Sequence, residues 1–412
     1  MNTAAPIIVI GAGAAGLMAS IFAASGRRPV VLLERTRDGG RKIMISGGGR
    51  CNVLPSKLSP SQYVTASSPN ALRRMLLSWT LPEQQRYFEH ELGVPLALER
   101  ESGKLFPASN RARDVRDALV TRARRQGVDI RFDTTVVGFA PAPADTRPGW
   151  VVKLQGGQEL AAAAVVVATG GLSVPQTGSD GTGLNVLAAL GHTIHATYPA
   201  LTPLTDSSAR HAALAGVSLS VRLTAPRPKR AFTTAGGFLF THRGYSGPAV
   251  LDISHLAVQS RLTGGPGQPI LVQWTELDAP AWERLLQEGG AGQIGPLLRR
   301  QLPTRLADAL LAEASVDPAR ALAELRRDER RQLVTALTRY PLPWTGDEGY
   351  RKAEVTGGGV ALSEVDPRTL QSRRHDGLFI CGEALDAFGP IGGYNFVWAW
   401  ATGRAAGLGA AG

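Results

Sequence analysis

Short apolar runs separated by glycine turns open the chain. Residues 7–10 read Ile-Ile-Val-Ile, a β-branched run that predicts a buried strand. A helix of small residues is predicted over 17–25, and a second buried strand over 29–33 ends at Glu34. The order strand, glycine turn, helix, strand predicts the first unit of a parallel α/β sheet.

Strands and helices continue to alternate up to about residue 190. A buried strand over 162–169 leads into a second glycine turn at Gly170-Gly171. Before it, the pattern predicts helices within 69–92 and over 114–126, and strands over 128–132, 135–139 and 150–154.

The pattern changes from about residue 191. Short alternating segments predict a mainly antiparallel β unit, and they lie at 219–223, 237–241 and 270–274. Residues 282–340 have apolar positions three to four apart and predict helices. Strand and glycine character then returns, with a buried strand over 378–383 and a closing helix over 396–408.

The turn after the first strand has the pattern GxGxxG. Gly11 permits the tight turn, Gly13 lets a pyrophosphate approach the backbone, and Gly16 allows close packing of helix and sheet. With Ala14 and Ala15, these residues begin a helix whose free N–H groups bind phosphate. Glu34 stands at the distance expected for a carboxylate that binds ribose hydroxyls. The motif predicts an ADP-containing dinucleotide and does not by itself distinguish NAD from FAD.

Both chain ends contribute to this predicted domain. We expect an α/β fold with a Rossmann-like dinucleotide-binding domain formed by residues 1–190 and 346–412. An antiparallel β domain is expected over 191–277 and a small helical insert over 278–345.

A second phosphate-binding fingerprint is missing, and this favours FAD. The glycines at 181–183 and 357–359 lack the strand and helix that such a motif needs. The single site therefore holds the working cofactor. Gly382-Glu383 at the end of a late strand can bring a carboxylate to it, and Gly392-Gly393 can aim helix N–H groups at a flavin ring edge.

The net charge of +11 has two interpretations. It can mark an anionic partner such as nucleic acid. However, only six of the 45 basic residues are lysines, and the chain is rich in alanine and glycine, as GC-rich coding would produce. We favour this second interpretation slightly, with the arginines of the predicted helices on solvated faces.

The two cysteines, Cys51 and Cys381, form no CxxC pair, which argues against a zinc site, an iron–sulfur cluster or a disulfide framework. They suit a reducing compartment, so we expect a cytoplasmic protein. The N-terminus lacks a basic region typical of signal peptides, and no segment has about 20 apolar residues in a row, so we expect no membrane span.

Several sequence blocks resemble the BaiN/RdsA family of NAD(P)/FAD-dependent oxidoreductases, flavoproteins with a glutathione-reductase-like FAD fold. The matching blocks run in family order through the chain, although the middle region looks shorter than in other members. They lie at residues 11–17, 40–52, 168–178, 199–203, 241–248, 353–360, 364–367 and 377–395.

The resemblance implies FAD in the domain formed by the two chain ends, together with a barrel-like inserted β domain and a small helical insert. The cofactor-binding residues that follow from the fingerprint and the resemblance are Gly11, Gly13, Ala14, Ala15, Gly16, Glu34, Arg35, Arg41, Lys42, Gly48, Gly49, Arg50, Asn52, Val136, Thr169, Gly170, Gly382, Glu383, Gly393, Tyr394 and Asn395.

The family's activities imply reduction of a carbon–carbon double bond. Hydride from reduced FAD reaches one carbon and an acid protonates its neighbour, with NAD(P)H as the transient reductant. Cys51, His242 and Tyr394 are the candidate acids. For Cys51 the favoured interpretation is packing beside the flavin, for His242 the two interpretations are even, and for Tyr394 a flavin contact is favoured.

Three functions stay open at this stage. The first is reduction of an unsaturated small molecule, and the second is reduction of uridine in ribosomal RNA. The third is a non-enzymatic flavoprotein with a structural or redox-sensing FAD. We expect no metal.

Overall fold

The computed structural model describes residues 5–143, 149–265, 267–288, 290 and 292–412. The chain divides into two compact units. Met1–Pro199 and Glu354–Gly412 form the first, which we call the terminal unit, and Ala200–Ala353 form the second, the inserted unit. The predicted boundaries of three domains stay a prediction.

The terminal unit contains most of the predicted α/β pattern. Up to the inserted unit its elements are β1 (Ile7–Ile10), α1 (Ala14–Ala23), β2 (Val30–Leu33), α2 (Arg41–Ile45), β3 (Leu54–Pro55), α3 (Pro69–Leu76), α4 (Leu81–Arg86), β4 (Leu96–Glu99), β5 (Lys104–Pro107), α5 (Ala112–Arg125), β6 (Asp129–Arg131), β7 (Val136–Pro141), β8 (Trp150–Leu154), β9 (Glu159–Ala162), β10 (Ala164–Val167), α6 (Thr182–Ala189) and β11 (Ile194–Ala200).

The inserted unit combines strands and helices, and the chain then returns to the terminal unit. The inserted elements are β12 (Leu204–Thr205), β13 (Ser218–Ala225), β14 (Phe232–Thr241), β15 (Gly244–Ser246), α7 (Pro248–Leu262), β16 (Leu271–Gln273), α8 (Ala279–Glu288), α9 (Ile294–Gln301), α10 (Thr304–Glu313), α11 (Arg327–Thr338), β17 (Tyr340–Pro341) and β18 (Gly346–Asp347). The returning elements are β19 (Val355–Val360), β20 (Leu378–Ile380) and α12 (Tyr394–Ala411).

A five-stranded parallel sheet in the order β20-β10-β1-β2-β6 forms the centre of the terminal unit. Its central strand β1 pairs with β10 on one side and β2 on the other, and all four of its residues are buried. This explains the unbroken β-branched run, because a strand covered on both faces has no polar side. The Rossmann-type α/β fold is therefore confirmed, with β20 joining from the far end of the chain.

Helices α1 and α12 pack closely on one face of this sheet. A Cβ on Gly403 would lie 2.4 Å from the Ala15 carbonyl oxygen, and one on Gly407 would lie 2.4 Å from that of Ala19. Only glycine permits this separation, so the last helix can lie against the helix that begins the glycine motif. Trp398 and Trp400 are buried beside them, and their indole N–H groups donate to the Gly382 and Val53 carbonyls.

Three small sheets surround the parallel one in the terminal unit. The strands β7, β8 and β9 form an antiparallel meander, the strands β3, β5 and β4 form a second antiparallel sheet, and β11 pairs with β19. Among the helices that the structure describes, none has the length and hydrophobicity that crossing a bilayer requires.

The inserted unit contains an antiparallel sheet in the order β17-β16-β13-β14-β15-β12-β18. The long hairpin of β13 and β14 provides eight paired positions from Ser218 opposite Leu239 to Ala225 opposite Phe232. Helices α8 to α11 share one hydrophobic core with this sheet, centred on Trp274, Trp282 and Phe240.

The helix α7 is the main correction to the predicted elements, because its residues were assigned to the β unit. Pro248 occupies its first turn, where a missing N–H costs nothing. More than half of the residues of this helix are buried, among them Val250, Ile253 and Ala257. A helix buried all round has no polar stripe, so the 3.6-residue signal on which the prediction depended is absent.

Candidate dinucleotide site

The glycine motif forms the turn that its sequence predicts. Gly11 has a φ of +99°, and a Cβ there would lie 2.6 Å from the Ala168 carbonyl oxygen. A Cβ on Gly16 would lie 1.8 Å from the Gly11 carbonyl oxygen, so the turn and helix close directly on each other. Around the Cβ position of Gly13, by contrast, no described atom lies within 4 Å. Gly13 therefore faces open space, whereas Gly11 and Gly16 are closely packed against the backbone.

The open space at Gly13 lies at the N-terminus of α1. Gly13 is the N-cap residue, and no side chain caps the helix. The first helical residues, Ala14 and Ala15, bring no carboxylate to this end. The N–H groups of a first turn lack partners inside the helix and carry partial positive charge. The site can therefore accept a phosphate group at close range.

Glu34 closes the same turn from the end of β2. Its carboxylate is buried, and Oε2 accepts a hydrogen bond of 2.7 Å from the N–H of Ala12. Oε1 accepts bonds from the N–H and hydroxyl of Thr36, at 2.9 and 2.8 Å. These bonds fix the carboxylate beside the glycine turn. A ribose can share it through the remaining lone pairs.

Two arginines connect the segments that follow β2 and β10. Arg35 forms an ion pair with Asp180, and the pKa of Asp180 is low because hydrogen bonds from Arg35 and Thr182 outweigh the effect of burial. Arg41 donates 2.9 Å to Asp38 and 3.3 Å to the Gln176 carbonyl.

A polar network lies where α2, β19 and β20 meet. The Lys42 ammonium donates to Glu383 at 2.7 Å and to the Ser173 hydroxyl at 2.6 Å. The other Glu383 oxygen accepts from the Ser173 hydroxyl at 2.6 Å, and from the hydroxyl and N–H of Thr356 at 2.9 and 3.1 Å. We call Lys42, Ser173, Thr356 and Glu383 the Lys42 network.

The Lys42 network keeps Glu383 ionised. Burial raises the pKa of the Glu383 carboxyl, but the Lys42 ammonium and the hydroxyls of Ser173 and Thr356 lower it further, and the result lies below its ordinary value. The network thus holds one cation and one anion in fixed positions at the carboxyl end of β20.

The loop of residues 46–52 contains a buried polar atom without a partner. Gly48 and Gly49 have φ of +67° and +85°, and they lead to Asn52. The Asn52 Oδ1 atom is buried and accepts no hydrogen bond from the described residues. The Thr169 hydroxyl, in the second glycine turn with Gly170, is also buried without a partner. Because unpaired buried polar atoms are costly, both point to a ligand or water as partner.

Arg50 is paired with an acidic side chain, and Val136 has no polar side chain. Arg50 donates 2.9 Å to Glu99, and its guanidinium lies 4.0 Å from the centre of the Phe106 ring. Val136 begins β7 opposite Leu154 and is half-buried. Their predicted contacts with a cofactor stay predictions.

The start of α12 is a second glycine-rich helix N-terminus. Gly393 is the N-cap residue with a φ of +99°. The Asn395 amide group bonds both to the N–H and to the carbonyl of Gly389, at 2.9 and 3.0 Å, which fixes the approach to the helix. The Tyr394 hydroxyl accepts a bond of 3.2 Å from Gln62. This N-terminus carries no acidic residue in its first turn.

The three candidate acids differ in environment. Cys51 is fully buried with a φ of +63°, Tyr394 is half-buried at the start of α12, and His242 is exposed in the β14–β15 turn of the inserted unit. Burial raises the pKa of the Cys51 thiol to about 12, against a hydrogen bond with Ser46. The structure thus supports the interpretation of Cys51 as a packing residue.

This burial predicts unreactive thiols. Burial also raises the pKa of Cys381 to about 12, and neither sulfur is exposed. Because only the thiolate attacks disulfide reagents, we expect the native protein to release essentially no chromophore from Ellman's reagent at pH 8, and two equivalents once urea unfolds it. One fast-reacting thiol in the native state, lost in Cys51→Ser, would contradict the buried position.

Two residues of the Lys42 network were missed by sequence reasoning. Ser173 and Thr356 were not among the predicted cofactor contacts, although both lie within family-like blocks, at 168–178 and 353–360. A hydroxyl residue beside a glycine turn is too common to single out. Only the fold, which brings residues 173, 356 and 383 together, identifies them.

The residues of the terminal unit fit an ADP-containing cofactor such as FAD. The space at Gly13, the uncapped α1 N-terminus and Glu34 suit the pyrophosphate and ribose, and the unpartnered Asn52 and Thr169 suit further polar contacts. The sequence block from Gly382 to Asn395 lies in the same unit.

The sequence matches known proteins over nearly its full length. Residues 5–409 match the family model described as HI0933-like protein Rossmann domain. The chain is 32% identical over 402 residues to a ribosomal RNA dihydrouridine synthase of Escherichia coli, covering 96% of this chain and 95% of that one. It is also 32% identical over 412 residues to a 3-dehydro-bile acid delta(4,6)-reductase of Clostridium scindens, covering 98% of each.

Solved structures of low identity share the fold. A 3-ketosteroid delta1-dehydrogenase from Sterolibacterium denitrificans superposes with a TM-score of 0.54 at 12% identity, with all of both chains covered. A flavocytochrome c3 fumarate reductase gives 0.50 at 18% identity, covering all of this chain and 78% of that one. From the family match and its two relatives, the chain belongs to the HI0933-like Rossmann family, the BaiN/RdsA flavoprotein oxidoreductases.

Proposed function

We propose that the protein is an FAD-dependent reductase that adds hydrogen across a carbon–carbon double bond of an unsaturated substrate. One observation carries the proposal: the open Gly13 turn and the uncapped N-terminus of α12, which come from opposite ends of the chain, lie in the same unit. Both named relatives support it, since forming dihydrouridine and reducing a delta(4,6) steroid each saturate such a bond.

Each part of the site has a role in binding. The N–H groups of α1 bind the pyrophosphate and Glu34 binds the adenosine ribose. The Lys42 network would offer its polar groups to the ribityl chain, and the N-terminus of α12 would stabilise negative charge on the ring edge. When bound and reduced, FAD supplies the hydride.

Among the three candidate acids, we favour Tyr394 as the proton donor. It is the first residue of α12, at the end that faces the ring edge in this proposal, and Gln62 orients its hydroxyl. A phenol in this position can give its proton to the carbon beside the one that receives hydride, and regain it from water. His242 is exposed and stays the alternative.

NAD(P)H is the proposed reductant, because the sequence has no second dinucleotide fingerprint for a stable NAD(P) site. It would bind transiently, reduce FAD and leave. The two free, buried cysteines support a reducing compartment, so we place the reaction in the cytoplasm.

Anaerobic spectroscopy tests this function. We expect the gently purified protein to be yellow, to bleach on adding NADH or NADPH, and to regain its colour when an unsaturated acceptor is added, with the saturated product found by mass spectrometry. A colourless protein would contradict the FAD site. A yellow protein that no nicotinamide bleaches would support the structural or redox-sensing alternative.

A further inference from the structure

The β13–β14 hairpin of the inserted unit has an exposed face on which polar residues predominate. Side chains alternate along the paired strands, with Val221, Leu223 and Phe238 buried on one face. The other face exposes Ser218, Ser220 and Arg222 of β13, and Thr233, Ala235 and Leu239 of β14.

The tip of this hairpin carries three exposed cations. It reads Pro226-Arg-Pro-Lys-Arg-Ala231, and Arg227, Lys229 and Arg230 are all exposed. The prolines restrict the backbone, and Gln268 donates 2.9 Å to the Pro226 carbonyl, which fixes the start of the loop. The charges are thus presented on a constrained loop.

No carboxylate balances these cations along the sequence. Residues 207–251 contain six Lys and Arg but no Asp or Glu. Among the described residues, Arg227, Lys229, Arg230 and Arg243 form no ion pair, and Arg222 approaches Glu276 only to 3.9 Å. The hairpin therefore has a concentrated, largely uncompensated positive charge.

The helices of the same unit provide the comparison. Residues 279–338 contain nine basic and eight acidic residues, with Arg299 paired to Asp308 and Arg330 to Glu283. A coding bias toward arginine would act on both segments equally. It explains neither the missing carboxylates of the hairpin nor the lysine at its tip, in a chain with only six lysines.

We infer that the hairpin, defined as the face of β13–β14 with the tip 226–231, binds the sugar–phosphate backbone of a single-stranded RNA. Arginine, lysine and hydroxyl side chains make most phosphate and sugar contacts in nucleic-acid complexes. The exposed serines and threonine can also bond to the ribose 2′-hydroxyl, which distinguishes RNA from DNA.

The inference rests on the proposed function in one respect: the bound RNA would carry the base that is reduced. The terminal unit would carry out the reduction, and the hairpin would contribute affinity for the RNA. RNA binding itself does not require the cofactor to turn over, so the two proposals can be tested separately.

The test is fluorescence anisotropy of the flavin-loaded protein with a labelled oligouridine strand, titrated from about 50 to 200 mM salt. In the triple variant Arg227→Gln, Lys229→Gln, Arg230→Gln we expect affinity at low salt to fall at least about tenfold. The slope of log affinity against log salt should fall by about 2, because each phosphate contact on a single strand contributes about 0.7.

A matched variant removes the same charge elsewhere in the inserted unit. Arg284→Gln, Arg327→Gln, Arg331→Gln changes three exposed helix cations and should change affinity by less than about threefold. Equal losses in both triple variants would overturn the inference, because net charge alone would then act. The inference would also be overturned if the hairpin variant bound RNA as tightly as the wild type, if the wild type bound no RNA, or if the wild type bound an oligothymidine strand equally tightly.

The flavin content and nicotinamide bleaching of each variant are measured in parallel. A yellow, bleachable protein that binds no RNA overturns the inference and leaves the proposed function standing. A colourless protein whose RNA binding depends on the hairpin contradicts the proposed function and leaves the inference standing.

Discussion

Gly13→Val is expected to yield a folded but colourless protein. The backbone of Gly13 is extended, with φ −75° and ψ −172°, so valine can adopt it, and a Cβ there meets no described atom within 4 Å. The isopropyl group instead fills the space through which a pyrophosphate approaches α1. We expect flavin affinity to fall by about 100-fold or more, or ~2.7 kcal/mol.

The stability of the apoprotein should change little. We expect its free energy of unfolding in urea to fall by no more than about 1 kcal/mol, the cost of a poorer N-cap residue. Gly16→Ala is the contrasting variant, because its methyl carbon would lie 1.8 Å from the Gly11 carbonyl oxygen. It should lose more than about 4 kcal/mol or fail to fold. A Gly13→Val protein that retains flavin stoichiometrically would exclude this turn as the phosphate site.

Lys42→Met is expected to destabilise the protein at neutral pH by about 2–3 kcal/mol. Removing one partner of a buried pair costs about 3–5 kcal/mol, and a quarter of the Lys42 side chain is exposed, so we take a lower figure. Methionine keeps much of the side-chain volume. The loss therefore reports the charge left on Glu383, which keeps its bonds to Ser173 and Thr356.

The pH dependence identifies the cause. The pKa of Glu383 is depressed in the folded state, so its contribution is present above the unfolded value of about 4.3 and is lost as pH falls through the folded value. The gap between wild type and Lys42→Met, measured by urea unfolding, should therefore narrow below about pH 4. Lys57→Met, an exposed lysine, should cost less than about 0.5 kcal/mol at any pH. A gap that persists in acid would mean that packing, not charge, was lost.

The sequence was most informative where one local rule decides the structure. The buried strand at 7–10 and the turn Gly11–Gly16 follow from strand burial and backbone geometry, and the structure has both as predicted. The ribose contact of Glu34 stays a prediction. The closing helix was also found, because apolar residues and glycines follow a glycine turn. Its true bounds, Tyr394–Ala411, differ by a few residues, as helix ends usually do.

The sequence was least informative where contacts between residues distant in the chain decide the structure. The helix α7 has no polar stripe because most of its residues are buried in the inserted unit, where it packs against the antiparallel sheet, and no local pattern records this. Ser173 and Thr356 become members of a site only when β19 and β20 lie near the turn after β10. Whether the positive charge is general or local also needed the structure, which shows which cations share an exposed face.

The position of β20 has a consequence for synthesis. It pairs with β10 at one edge of the parallel sheet, and some 200 residues separate the two strands in sequence. Until the ribosome has released β20 and the following helix α12, β10 is an unpaired, fully hydrophobic edge strand of the nascent chain. In the proposed function the flavin site is then incomplete as well, so we expect cofactor loading to follow translation and a chain that stalls late to bind chaperones.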